Sequence, residues 1–259
     1  MTIDHNPNPR YAIGRKFPQS SALAQSFSLT GEILKRDAQI AKLQELAMID
    51  AMSGAPNRRA WDQALIVEFD HAQREGTPIL VCMFDTDHFK RINDLYGHNT
   101  GDNAIRMEVR AVQDALRKAD LLARYGGDEF GVIAHIVVPP GIPQERRKQY
   151  IDDAALKIMN KIRTAVEQSE YPIAEEDKKK QNLPPGHNTD RATISVGGIV
   201  YQGEKDISID RLVAIADHAL YRSKSAGRNR VTLGTLDMPT AERHLVEKPA
   251  PMAPIALTK

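Results

Sequence analysis

Ile79-Leu80-Val81-Cys82-Met83-Phe84-Asp85-Thr86-Asp87 sets six apolar residues in a row directly against two carboxylates. A run that short, ended abruptly by charge, reads as a strand over 79–84 buried on both faces. Aspartates two apart on an extended backbone face the same side. There they repel each other, and beside a core they are costly unless a cation or hydrogen-bond donors compensate. The same pair could instead cap a turn at the strand end.

Downstream, Arg124-Tyr125-Gly126-Gly127-Asp128-Glu129-Phe130 places two glycines between strand-like runs, the composition of a tight hairpin that needs positive backbone angles. If the hairpin lies beside the 79–84 strand, Asp85, Asp87, Asp128 and Glu129 converge into an all-oxygen cluster. Such a cluster suits a hard divalent ion, magnesium above all, and through it a nucleoside triphosphate. Taken alone, a Gly-Gly-Asp-Glu turn is more often a solvent-facing hairpin.

Around these two stretches, helix and strand signals alternate. Trp61, Leu65, Phe69 and Ala72 mark one helix face; Ile105, Val109, Val112 and Leu116 mark a second. Ile151, Ala155, Ile158 and Ile162 mark a third, and Leu212, Ile215, Ala216 and Ala219 a fourth. Strands are expected at 79–84, 121–124, 130–137 and 193–201, with a further one at 230–233. The alternation predicts a sheet with helices packed on it. Residues 170–191, with Lys178-Lys179-Lys180 and Pro184-Pro185, interrupt the pattern and read as a long exposed loop away from the acidic motifs, its charges solvated.

The flanks differ in character. Residues 1–30, rich in Asn, Pro, Ser and Gln, are expected to be mobile. Over 31–49, Ile33, Ile40, Leu43 and Ala47 recur at seven, three and four, which fits a coiled-coil stalk or one amphipathic helix packed on its own domain. A tail over 236–259, with Pro239, Pro249 and Pro254, reads as unstructured.

With 41% apolar and 27% charged residues in 259, the chain has the balance of an ordinary globular protein. A formal net charge of +1 gives no overall field that would draw it to nucleic acid or an anionic membrane. The single cysteine, Cys82, excludes a disulfide within the chain and, inside an apolar run, reads as a buried inert thiol suited to a reducing cytoplasm. No stretch approaches the ~20 apolar residues of a membrane span, and no basic segment followed by an apolar one opens the sequence.

The joint pattern is more specific than either acidic motif. After Asp87 come His88-Phe89-Lys90, Ile92-Asn93-Asp94, Tyr96-Gly97-His98 and Gly101-Asp102, then Arg124 to Phe130. Asn57-Arg58-Arg59, Ser195-Val196-Gly197, Ala216-Asp217, Ala219-Leu220-Tyr221, Lys224 and Gly227-Arg228-Asn229 extend it. Over 50–231 this resembles the GGDEF family of diguanylate cyclases, which condense two GTP into cyclic di-GMP and pyrophosphate. The resemblance implies an α/β (α+β) domain over about 50–235: an antiparallel-rich sheet flanked by helices, similar to the adenylyl cyclase core and polymerase palm, with an N-terminal helix.

By motif match, Asp85, the Thr86 carbonyl and Asp128 would hold Mg²⁺, or Mn²⁺. Asp128 is the general-base candidate, and Glu129 holds a second ion or supports the first. Lys90, Lys224 and Arg228 match positions around the phosphates, although Lys224 and Arg228 also suit a helix C-terminus. Asn93 and Asp102 match readers of guanine, Phe89 and His98 further nucleotide contacts, and Met52 a wall of the guanine pocket. Arg117 and Asp120 match an inhibitory product site, with Arg124 as an additional ligand; a helix-end cation and its turn are the bland alternative, and the spacing to the hairpin favours the regulatory site. The family reaction needs two domains face to face, hence a homodimer. Departures are Thr86, where the family has an aliphatic residue, and Met52-Ser53-Gly54-Ala55 in place of Leu-Thr-Gly-Leu. Two other readings are a binding module without catalysis, which Asp85, Asp128 and Glu129 argue against, and a cyclic GMP-AMP synthase, which Asp102 argues against.

Overall fold

The apolar run forms strand β1 (Ile79–Thr86), buried along its whole length. In the computed structural model the described residues are 35–36, 48–181 and 186–238. Contacts divide the chain into Met1–Ala47 and Met48–Lys259. Of the first unit only Lys35 and Arg36 are described, both helical. The expectations for 1–30, for the remainder of 31–47 and for 239–259 lie outside the described residues. The sheet and the helices packed on it belong to the second unit.

β1 is the centre of a five-stranded sheet ordered β2-β3-β1-β6-β7, with β2 (Leu121–Gly126), β3 (Glu129–His135), β6 (Ile194–Tyr201) and β7 (Val231–Leu233). It pairs antiparallel with both neighbours, while β6 and β7 are parallel. The alternation of side chains along β1 separates two cores. Leu80, Cys82 and Phe84 face helices α3 (His98–Ala115) and α4 (Gln144–Gln168); Ile79, Val81 and Met83 face α1 (Arg58–Glu75) and α6 (Ile209–Ser225). An antiparallel strand is usually wet on one side; here helices on both faces explain the unbroken apolar run. Phe84 stacks on Phe130 of β3 at 4.8 Å between centroids. Cys82 is buried, and burial pushes its thiol up to about 12.

The expected helix faces are those buried, except that Ala115 rather than Leu116 ends the α3 stripe and Met159 rather than Ile158 stands at the centre of the α4 stripe. Asn57 caps α1 by accepting the Ala60 N–H at 3.2 Å, and Gly76 ends it at φ 65°. On α1, Trp61 lies 1% exposed with its indole nitrogen pressed on Gly131 of β3, where any side chain would collide with it. Its ring meets Tyr125 of β2 edge-on at 5.4 Å.

Two expectations need correction. Residues 170–191 are not a plain loop: they form β4 (Glu170–Pro172), α5 (Glu175–Gln181) and β5 (Thr189–Arg191), with β4 and β5 paired antiparallel. The short helix was hidden because its run of charged residues carries no apolar stripe. The tail does not begin at 236 either. Leu236 and Met238 pack on the α1–α6 core, and the Arg211 guanidinium donates to the Met238 carbonyl at 2.8 Å.

Candidate nucleotide and metal site

Strand pairing brings the two acidic motifs together. Asp85 stands opposite Glu129 on β3 and Ser195 on β6, and the Thr86 N–H donates to the Asp128 carbonyl at 3.3 Å. The hairpin between β2 and β3 turns at Gly127, whose φ of 58° a side chain would strain. Arg124 fastens this turn: its Nε and Nη2 donate to the Gly127 carbonyl at 2.9 and 2.7 Å, and Nη1 meets Asp50 Oδ1 at 2.8 Å. Its guanidinium therefore serves the domain itself, which argues against the additional ligand role expected from its motif position.

Asp85 is nearly buried and its Oδ2 is 2.8 Å from the Lys224 ammonium, at the last turn of α6. Burial pushes its carboxyl up to about 6; the charges of Asp128 and Glu129 add to the rise, and Lys224 opposes it. A carboxylate repelled by two neighbours and already held by one cation fits a divalent ion. It is not a finished cage: among the described residues no three His, Cys, Asp or Glu side chains stand in ligand geometry.

Asp87 does not join the cluster. Its carboxylate accepts from Ser195 Oγ at 2.6 Å, Thr193 Oγ1 at 2.7 Å and the Asn229 N–H at 2.9 Å. Three donors compensate the buried charge and tie the end of β1 to β6 and to the turn after α6. The expected convergence of four carboxylates thus fails for Asp87, while Asp128 and Glu129 stand near enough to Asp85 to raise its carboxyl. Positive φ values at His88 (59°), Arg228 (62°) and Asn229 (44°) border this clamp, and strain of that kind persists only where surrounding contacts hold it.

Behind the site sits a carboxyl that the motifs did not reveal. Glu108 on α3 is fully buried, accepts from Thr86 Oγ1 at 2.8 Å through Oε2, and has no partner for Oε1 among the described residues. Burial, then the charges of Asp128, Asp85 and Asp87, push it up to about 8 against the pull of the Thr86 hydroxyl. A glutamate in a helix face of apolar residues was its only signal.

Five of the remaining matched residues lie on two helices beside the acidic end. Phe89, Lys90 and Asn93 lie on α2 (Phe89–Tyr96), a helix that periodicity did not find; His98 and Asp102 lie on the first turns of α3. The two helices meet at Gly97, and Gly101 leaves room for the Asn93 side chain, whose oxygen a Cβ there would strike. Arg106, another residue missed from sequence, lies 3.8 Å from Asp102 Oδ2 and donates to the Met52 carbonyl at 3.2 Å, joining those two matched positions. Lys90, His98 and Arg228 are exposed.

Arg117 and Asp120 are at the other end of the sheet, ~20 Å away by the rise of β3. Asp120 accepts the Arg117 N–H at 2.9 Å and the His135 N–H at 3.1 Å, so its carboxylate shapes the turn, while the Arg117 side chain is exposed.

The family model for the diguanylate cyclase GGDEF domain matches residues 47–230. The chain belongs to the GGDEF family. Diguanylate cyclase DosC of Escherichia coli K12 is 35% identical over 186 residues, 71% of this chain and 35% of that protein. Diguanylate cyclase VdcA of Vibrio cholerae is 34% identical over 202 residues, covering 78% and 51% respectively. The chain therefore spans about a third to a half of these curated relatives. Among solved structures, the coiled coil and GGDEF domain of Caulobacter crescentus DgcB, in complex with c-di-GMP, is similar at a TM-score of 0.64 with 27% identity, over 83% of this chain and 100% of that one. The antiparallel-rich sheet with helices on both faces is thus the GGDEF fold.

Proposed function

We propose that this GGDEF domain condenses two GTP molecules into cyclic di-GMP. The observation that carries this reading is the buried Asp85 carboxylate, set beside Asp128 and Glu129 at the hairpin and held by Lys224. Asp85, the Thr86 carbonyl and Asp128, with Glu129 in support, are the residues that would hold Mg²⁺ or Mn²⁺. When bound, such an ion screens phosphate charge and eases formation of an alkoxide.

The chain's own residues account for the rest. Asn93 and Asp102 read guanine, with Met52, Phe89 and His98 around the nucleotide; Lys90, Lys224 and Arg228 face the phosphates and stabilise charge that develops there. The 3′-hydroxyl of one GTP attacks the α-phosphorus of the other: an O–P bond forms, the bond to the β-phosphate oxygen breaks, and pyrophosphate leaves. Asp128 or Glu129 takes the hydroxyl proton. A second such step closes the ring, so two domains must face each other, as a homodimer does.

Arg117 and Asp120 are proposed as a product-inhibition site, remote enough from Asp85 to act on domain geometry. No helix among the described residues is long and apolar enough to cross a membrane; the single buried thiol fits a cytoplasmic setting.

The test is to incubate purified protein with GTP and Mg²⁺ and identify products by mass. Cyclic di-GMP from the parent and none from a folded Asp128→Asn variant is the expected result. Bound but unconverted GTP in the parent would point to a binding module, and a mixed GMP-AMP product to the other cyclase chemistry.

A further inference from the structure

Helix α3 begins without a cap of its own. The residue at its N-cap position is Gly97, at φ 102°, and its first turn carries no acidic side chain. Exposed N–H groups at a helix start are normally satisfied by a local Ser, Thr, Asp or Asn. Here the acceptor comes from 77 residues further along the chain. Asp177 on α5, only 3% exposed, accepts both the Thr100 N–H at 2.9 Å and Thr100 Oγ1 at 2.8 Å. Gly97 makes the approach possible, because a Cβ there would collide with the Asp177 carboxylate.

The contact is one of several. Thr100 Oγ1 in turn accepts the Ala174 N–H at 3.0 Å, Asn103 donates to the Pro172 carbonyl at 2.9 Å, and Tyr96 donates to Asp190 Oδ2 at 2.7 Å. Both ends of the β4-α5-β5 excursion thus grip the junction between α2 and α3. That junction carries Asn93 on one side and Asp102 on the other, and Asn93 rests against Gly101 in the same turn. A tilt of the first turn of α3 would move both residues.

We infer that Asp177 is a positioning residue for nucleotide recognition, and that the 170–191 excursion is a strut fixing the α2–α3 junction in the geometry that accepts the guanine base. The inference rests on the reading of Asn93 and Asp102 proposed above. Asp177 belongs to neither the metal nor the phosphate end of the site, so its loss acts on binding of the base and not on the reacting atoms. Binding lost equally from ground and transition states raises KM and leaves kcat alone.

The experiment compares parent, Asp177→Ala and Asp177→Asn, with exposed Lys179→Ala on the same helix as a control. Initial rates against GTP are measured together with calorimetric Kd for a non-hydrolysable GTP analogue. For Asp177→Ala, loss of a charged cap should raise KM and Kd about tenfold, with kcat within about twofold. Asp177→Asn keeps one acceptor oxygen and should recover much of the loss, leaving a rise of about threefold. Lys179→Ala should match the parent.

An Asp177→Ala protein with parental KM and Kd and only a lower melting temperature would make the contact a structural cap and overturn the inference. If that variant is too unstable to assay, Asp177→Asn decides: a Kd equal to the parent's overturns it. A parent that binds the analogue but makes no cyclic di-GMP would sink the proposed reaction, while the binding measurements still judge Asp177. A parent that does not bind the analogue overturns both.

Discussion

Single residues set the electrostatics of the acidic end. Asp85 must be ionised to hold a cation, and its carboxyl lies near 6 because burial and two neighbouring carboxylates raise it. As pH falls through that value the ionised fraction falls, so the Mg²⁺ concentration for half-maximal rate should climb by about tenfold per pH unit below it. Titrations of Mg²⁺ at pH 5, 6 and 7.5 check this; a flat response would remove Asp85 from the metal site. Glu108 leads to a stability prediction of different form. Its folded value near 8 stands above the ordinary 4.5, so the folded protein keeps a proton that the unfolded chain has lost. Stability is fully present below the ordinary value and declines as pH rises toward 8, by up to about 1.4 kcal/mol per unit. Glu108→Gln should flatten that decline, as urea unfolding at pH 5.5 and 8 would show, and parallel curves for the two proteins would count against it. The sequence named Asp85 through its abrupt place after an apolar run. It could not name Glu108, whose partner is the hydroxyl of Thr86, a departure from the family's aliphatic residue at a position whose carbonyl alone was matched to the metal.

Among the elements, helix α6 packs backbone to backbone on β6. A Cβ at Gly197 of β6 would strike the Leu220 N–H, a backbone atom that cannot swing aside. Gly197→Ala should therefore push α6 off the sheet, moving Lys224 from Asp85 and lowering stability by ~3 kcal/mol or more, within the range of strain in a packed core. Thermal unfolding together with activity would measure both, and a variant as stable as the parent would contradict the backbone-to-backbone packing. Regular elements with an apolar stripe, α1, α3, α4 and α6 with the five sheet strands, were legible from periodicity. The excursion over 170–191 was not. Its anchoring residue is one aspartate among six charged residues in α5, and nothing local distinguishes a charge that caps a distant helix from one that faces water.

For the molecule as a whole, a reaction that joins two nucleotides on two domains should depend on encounter. Activity per chain is expected to rise with protein concentration until dimers saturate, and to fall less on dilution where residues 31–49 are kept than in a deletion ending near Met48. Rate measured across a dilution series in both proteins tests this, and constant specific activity in the shortened protein would detach that segment from dimerisation. Product feedback belongs to this scale too: Arg117→Ala should preserve the initial velocity and remove the slowing as cyclic di-GMP accumulates, whereas equal inhibition of both proteins would clear Arg117. The family motifs were readable because they pack chemistry into short stretches, but assembly between chains leaves no such local trace. The only tryptophan, Trp61, is sealed against Gly131 and edge-on to Tyr125, directly under the hairpin that carries Asp128 and Glu129. The protein thus holds a native fluorophore whose emission should shift or quench when ligand moves that hairpin, so stopped-flow fluorescence could time nucleotide arrival in the unlabelled chain.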